Sequence, residues 1–224
     1  MSAAERSTDA DALLRRTQRQ IERLYGIEAP HSAEAFLLAD PHLARILQGD
    51  GWTDTDESLL VREEEGDLEL SLFLDGALLE RLVRVSPYDE LGHHNLADFW
   101  SLVEGVSHFV YLTWNAARRR SVTPLEMELQ GEVDKFTLTA LTWQRQRGGS
   151  PRALHGLLFD ATRIDTQLSE DLRERYHDAN RYAGRYCLDL QRDYLERRRP
   201  GLIDELRSFY REGRGGKLAR IGQP

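Results

Sequence analysis

LADFWSLVEGVSHFVYLTWN, residues 96–115, is apolar around most of a helical circumference and is broken by one narrow polar stripe: Ser101, Glu104, His108, Tyr111 and Asn115. A stripe that faces water is ordinarily built from Lys, Arg, Glu and Asp. This one holds a single carboxylate, an imidazole and small or aromatic hydrogen-bonding groups, the composition of a polar seam facing other protein. The spacing predicts a buried central helix, started at Asn95 with Asp98 reaching back as a capping-box partner and ending near Arg118 to Arg120.

Thr123-Pro124-Leu125-Glu126 then signals a second helix start, with a hydroxyl cap, a proline suited to the first turn and Glu126 completing the box. That helix is predicted to run to about Arg147, with an apolar arc of Leu125, Leu129, Val133, Phe136, Ala140 and Trp143. Glu132 and Thr139 lie on the edge of the arc, and Glu128 lies one step further out. So short a connection makes the two helices an antiparallel hairpin. Gly105 and Gly131 sit inside them, each costing about 1 kcal/mol relative to Ala, which points to close approach across the pair. Folding back near Ser121 places His108 opposite Asp134, within a turn of Glu132, and Tyr111 near Gly131.

Working outward, Leu13, Leu14, Ile21 and Leu24 describe an amphipathic first helix closed by Gly26, and Asp40-Pro41 starts a short helix stopped by Gly49 and Gly51. From Ser58 the period changes to two. Leu68, Leu70, Leu72 and Leu74 alternate as a strand that pairs with Leu59 to Arg62 across a turn, and Asp75-Gly76 leads into a brief helix over Ala77 to Val83. Gly148 to Pro151 is the best linker candidate. A last long helix from about Gln167 carries Leu168, Leu172, Tyr176, Ala179, Ala183, Tyr186, Leu190 and Tyr194 on one face, and Leu202 to Tyr210 forms a final helical piece.

These elements give a predominantly α fold of the α+β kind: a helical bundle built on a long central antiparallel helix hairpin, with one small β-hairpin near residues 58–74. Residues 1–212 read as a single globular domain with a sub-boundary at 148–151, and the glycine-rich stretch 213–224, with little to bury, reads as a mobile tail.

Composition narrows the function classes. A chain of 224 residues with 40% hydrophobic and 30% charged residues has too many core formers to be disordered and too many charges to live in a bilayer. No run approaches the roughly 20 apolar residues of a spanning helix, Met1 to Arg16 lacks the pattern of a signal peptide, and Cys187 is the lone cysteine, so a cytoplasmic, membrane-free protein is expected. A net charge of −8 opposes nucleic-acid binding. From Arg192 onward, however, nine Lys or Arg face five Asp or Glu, a local excess of four positive charges that suits docking to a protein partner.

Glu104 and His108 are four apart on one helix, and Glu128 and Glu132 four apart on its neighbour. Carboxylates and an imidazole projecting between helices are what a divalent metal needs in a bundle, so these four form the candidate metal set. Glu104 and His108 are four apart where dimetal carboxylate bundles place Glu and His three apart, with no second such pair beside them, and the His-Glu-x-x-His of zinc proteases is absent. A histidine beside an acid across a helix pair is more often part of a buried hydrogen-bonded network that fixes the register of the two helices, and that is the first expectation here, with metal as the alternative. His177-Asp178, His93-His94, Cys187, Asn180 and Arg181 are weaker candidates, each with a simple surface or packing explanation. Phosphate-loop, dinucleotide, nucleophile-elbow and Cys-x-x-Cys signatures are missing, so no cofactor is expected, a divalent metal being the alternative. Two functions follow as expectations: a helical interaction or accessory protein acting through its basic carboxyl-terminal helix and tail, or a metal-dependent or acid-base enzyme using the polar seam.

Overall fold

In this computed structural model, residues 3–49, 55–64, 67–149, 153–160 and 170–222 are described. Helix α1 (Ala3–Tyr25) buries Leu13, Leu14, Ile21, Leu24 and Tyr25, and Gly26, in left-handed backbone at φ 59°, ends it. A 3-10 turn (Ala33–Phe36) leads to a two-residue strand, β1 (Leu37–Leu38), and to α2 (Pro41–Gln48), where the Asp40 carboxylate accepts from the amides of His42 and Leu43. The alternating stretch forms the antiparallel pair β2 (Glu57–Glu64) and β3 (Asp67–Leu74), and α3 (Gly76–Arg84) begins on an Asp75 cap. Strand β1 lies parallel to β3 on its other edge, giving the order β1-β3-β2. Two residues are too few for periodicity to reveal.

The hairpin predicted at the centre is present as α4 (Leu96–Ala116) and α5 (Pro124–Arg147). Beyond a π-helical turn (Gly156–Asp160), α6 (Glu170–Leu190) continues as π-helix over Gln191–Glu196, followed by α7 (Leu202–Arg211) and α8 (Arg214–Gly222). Helix α4 is packed by α1, α3, α5 and the sheet, so Phe99, Leu102, Val103, Val106, Phe109 and Val110 are all inaccessible to solvent. Gly105 lies over Leu72 and Leu74 of β3; an added Cβ would stand 3.0 and 3.3 Å from their methyl groups. The fold is predominantly helical with a small sheet, as expected. Among the described residues, no helix is long and apolar enough to cross a membrane.

Three local expectations are corrected. Asn95 does not cap α4; its side chain instead donates to the carbonyls of Val85 and Glu90 and accepts from the Gly92 amide, holding the preceding loop. Asp98 accepts two 2.8 Å bonds from Arg81 rather than reaching back along its own helix. Thr123 does cap α5, but the Glu126 carboxylate turns away to Tyr111 and Arg120, so the box is half made.

The larger correction lies at the carboxyl end. The stretch expected to have little to bury is α8, which puts Lys217 and Ile221 into the core. Arg220 pairs with Glu205 and Glu212, while Arg207 and Arg211 of α7 donate to the carbonyls of Leu24, Tyr25 and Gly26 that α1 leaves unpaired at its end. Much of the basic excess is thus used inside the fold. Gly148, where the linker is expected to begin, is a left-handed C-cap at φ 73°; positions 150–152 and 161–169, including the proposed helix start at Gln167, lie outside the described residues.

Candidate metal centre

Helix α4 presents Glu104 and His108 to α5, and the first residue of β2 and the first turns of α6 complete the surroundings. One ligand atom from each of Glu104, His108 and Glu128 lies within 4.8 Å of the other two, the one such group of His, Cys, Asp or Glu among the described residues. His108 is 4% exposed, its Nε2 stands 3.6 Å from Glu128 Oε2, and that nitrogen has no hydrogen-bond partner. A structural imidazole is ordinarily satisfied when buried. This one aims an unpaired ring nitrogen at a carboxylate beyond hydrogen-bonding distance.

Glycine makes the room. A Cβ on Gly131 would lie 2.8 Å from His108 Nε2, so the imidazole occupies space that any other residue on α5 would fill. A Gly→Ala change inside a helix ordinarily stabilises by about 1 kcal/mol. Gly131→Ala is expected to do the opposite, lowering Tm and displacing His108; a thermal melt with a raised Tm would mean the ring relocates at no cost.

The register differs from expectation by about one helical turn. His108 faces Gly131 and Glu128, not Asp134, because α4 stops at Ala116 and the chain reverses early, through Arg119 at φ 56°. The polar stripe consequently divides. Glu104 and His108 enter the cluster, while Tyr111 donates to Glu126 at 2.6 Å and Asn115 donates to the Tyr111 carbonyl of its own helix. Ser101 donates to the Ala97 carbonyl of its own helix, at 3.5 Å. Asp134, expected opposite His108, is inaccessible and accepts from Tyr25, Ser107 and Gln130 in a separate network.

Two further groups stand at the cluster. Lys135 donates at 2.9 Å to both Glu104 and Glu132, holding the fourth predicted ligand one contact away from the triad. Glu57 of β2 approaches Gly105, its Oε2 3.3 Å from where a Cβ would be, and that oxygen has no hydrogen-bond partner. Sequence reasoning missed Glu57. The available signal was parity: Glu57 pairs with Leu74 just as Leu59 pairs with Leu72, so it shares the inward face.

The electrostatics express crowded, buried acids. Burial, followed by the neighbouring Glu104 and Glu128 charges, pushes the Glu57 carboxyl well above the ordinary range. Burial and then Glu104 raise Glu128 to about 8. Burial also works to raise Glu104, but the Lys135 ammonium and His108 outweigh it, leaving it below its ordinary value. Burial lowers His108 to about 4 against the pull of Glu104, so at neutral pH the ring is uncharged and able to offer a lone pair.

The weaker candidates do not gather. His93, His94 and His177 are exposed, Asp178 pairs with Arg181 at 2.9 Å, Asn180 is half-buried, and burial pushes the Cys187 thiol up, away from reactivity. No protein-family model, curated protein or solved structure matches this chain.

Proposed function

We propose that this chain binds a divalent metal ion through Glu104, His108 and Glu128 and uses it in acid-base or hydrolytic catalysis. The observation that carries the proposal is the buried, unpartnered His108 Nε2 among carboxylates. A mixed imidazole and carboxylate set suits Mn, Fe, Co or Zn better than Ca or Mg. Three protein ligands leave positions for water or substrate, the construction typical of catalytic rather than structural metal sites. A bound ion supplies Lewis acidity and lowers the pKa of its water. Glu57, with a free oxygen and a raised pKa, is placed to take or return a proton, and Lys135 holds Glu104 in position.

The test separates a site from a scaffold. In the ion-free folded chain Glu128 keeps its proton to about pH 8, whereas in the unfolded chain it loses it near its ordinary value of 4.5. The folded state therefore binds the proton more tightly, and stability falls as pH rises between those values, by a few kcal/mol at about 1.4 kcal/mol per unit. Glu128→Gln, which cannot ionise, should stabilise the ion-free protein at pH 8 yet eliminate metal uptake measured by elemental analysis. Retained stoichiometric metal in the variant, or none in the wild type, would sink the proposal.

A partner-binding role is favoured by a different surface from the one the sequence suggested. Arg15, Arg16, Arg19 and Arg23 of α1 and Arg145 of α5 line a surface groove of about 410 Å³. Among the described residues, Arg15 and Arg16 meet carboxylates at longer range, Glu34 at 3.4 Å and Asp89 at 3.7 Å. Guanidinium forks in a row fit an acidic peptide segment. The double variant Arg19→Glu, Arg23→Glu is expected to leave Tm within about 1 kcal/mol equivalent, as for surface changes, while weakening retention on an acidic polypeptide column; unchanged retention would remove this role.

A further inference from the structure

Lys135 is an unusual residue to find inside a carboxylate cluster. It is 7% exposed, its ammonium lies 2.9 Å from both Glu104 Oε2 and Glu132 Oε1, and it arises from α5 three residues after Glu132, reaching across to Glu104 of α4. Glu104 is shared: the same carboxylate belongs to the Glu104, His108, Glu128 group. The cluster thus contains two adjoining cation positions with Glu104 between them. One is bounded by His108 and Glu128; the other, bounded by Glu132, is filled by the ammonium.

The ligand inventory exceeds what one ion needs. Glu57, Glu104, Glu128 and Glu132 together with His108 amount to four carboxylates and an imidazole, close to the set with which helical bundles hold two metal ions. Oxygens on Glu57 and Glu132 have no hydrogen-bond partner. Charge balance gives the same count. Four carboxylates are matched by one dication together with the Lys135 ammonium and the Arg175 guanidinium of α6, whose charge is felt at both His108 and Glu128. Two dications beside both basic groups would leave the buried site with an excess of two positive charges, which a low-dielectric interior opposes.

We propose that Lys135 is a built-in cation occupying the second position of a two-cation carboxylate site, so that the chain takes one divalent ion and the ammonium fixes that stoichiometry. The inference rests on the metal-binding proposal above and adds to it the number of ions and the residue that sets it. A fixed ammonium, unlike a second metal, offers no open coordination position. Bridging of a substrate between two metals is therefore excluded, and the substrate meets a single ion.

The experiment is a count of Mn(II) bound per folded chain, by elemental analysis after equilibrium dialysis, for the wild type, Lys135→Gln and Lys135→Glu. The expected result is one ion for the wild type and two for the variants, with Lys135→Glu the tighter at the second position because it supplies a further carboxylate. One ion in both folded variants, or two in the wild type, overturns the inference. No ion in the wild type overturns instead the metal-binding proposal beneath it. Should either variant be unfolded without metal, saturating Mn(II) must restore its circular dichroism, since the inference requires that a metal can replace the ammonium; failure of both variants to fold in saturating Mn(II) also overturns it.

Discussion

Removal of Gly213 through Pro224 is expected to lower the unfolding free energy by about 4–6 kcal/mol, a large part of the 5–15 kcal/mol that domains ordinarily possess. Ile221 is 4% exposed, and burying such a side chain contributes about 1.5–3 kcal/mol. Lys217 contributes through several contacts at once. Its ammonium donates to Gln130 and lies 5.0, 4.3 and 5.9 Å from the ring centres of Tyr111, Phe209 and Tyr210. Deleting it uncovers three aromatic rings and leaves the Gln130 carbonyl oxygen without its donor, at about 1–3 kcal/mol for the unsatisfied group alone. Loss of Arg220 also unpairs Glu205 and Glu212. Urea denaturation of the truncated chain measures the effect. A change below about 0.5 kcal/mol, the range of surface substitutions, would return this segment to the status of a tail.

That expectation reverses the one drawn from sequence, and the reason is physical. Helix α8 has three glycines among its nine residues and one small apolar face, so its propensity is poor and its stability comes from tertiary packing. Its central anchor is a lysine, which no hydropathy pattern marks as buried. The hairpin of α4 and α5 was legible for the opposite reason: long periodic apolar faces, a Thr-Pro start and a short connection each pointed to the same arrangement. Glu104, His108 and Glu128 were legible as types on faces. Their partners depended on register, however, and register turned on where α4 ends, a matter of two to four residues that decides whether His108 meets Asp134 or Glu128. Lys135 and Glu57 were hidden by chain distance and by sign. A lysine three residues after a glutamate reads as an exposed ion pair, and a glutamate opening a strand reads as a turn.

Asp134→Ala is expected to cost about 3–5 kcal/mol, because the Asp134 carboxylate is an acceptor that α1, α4 and α5 share. Tyr25 and Gln130 donate to Oδ1 and Ser107 donates to Oδ2 at 2.5 Å, and Gln130 passes the connection to Lys217 of α8. Alanine leaves two hydroxyls and an amide without that acceptor, and it removes a charge that supports a buried ammonium. Asp134→Asn keeps the shape and tests the charge. Burial pushes the Asp134 carboxyl up to about 6, against the opposing hydrogen bonds from Ser107, Tyr25 and Gln130, from an ordinary 3.8. The folded state thus binds this proton more tightly than the unfolded one, and between about pH 4 and 6 the wild type loses stability as pH rises while the asparagine variant does not. The difference in unfolding free energy between the two should therefore move in the variant's favour by about 3 kcal/mol across that window, at about 1.4 kcal/mol per unit, and stay flat above it. Lys217 acts with the opposite sign. Burial lowers its ammonium from 10.5 to about 7, so between those values the unfolded chain holds a proton the folded chain has released, and stability rises with pH. Chemical denaturation of the wild type, Asp134→Asn and Lys217→Met at pH 4, 6, 7 and 10 reads both slopes as differences, free of the other titrating groups. Parallel wild-type and asparagine curves from pH 4 to 6 would mean that Asp134 is ionised in the fold throughout and that its three donors, rather than its proton, hold it there.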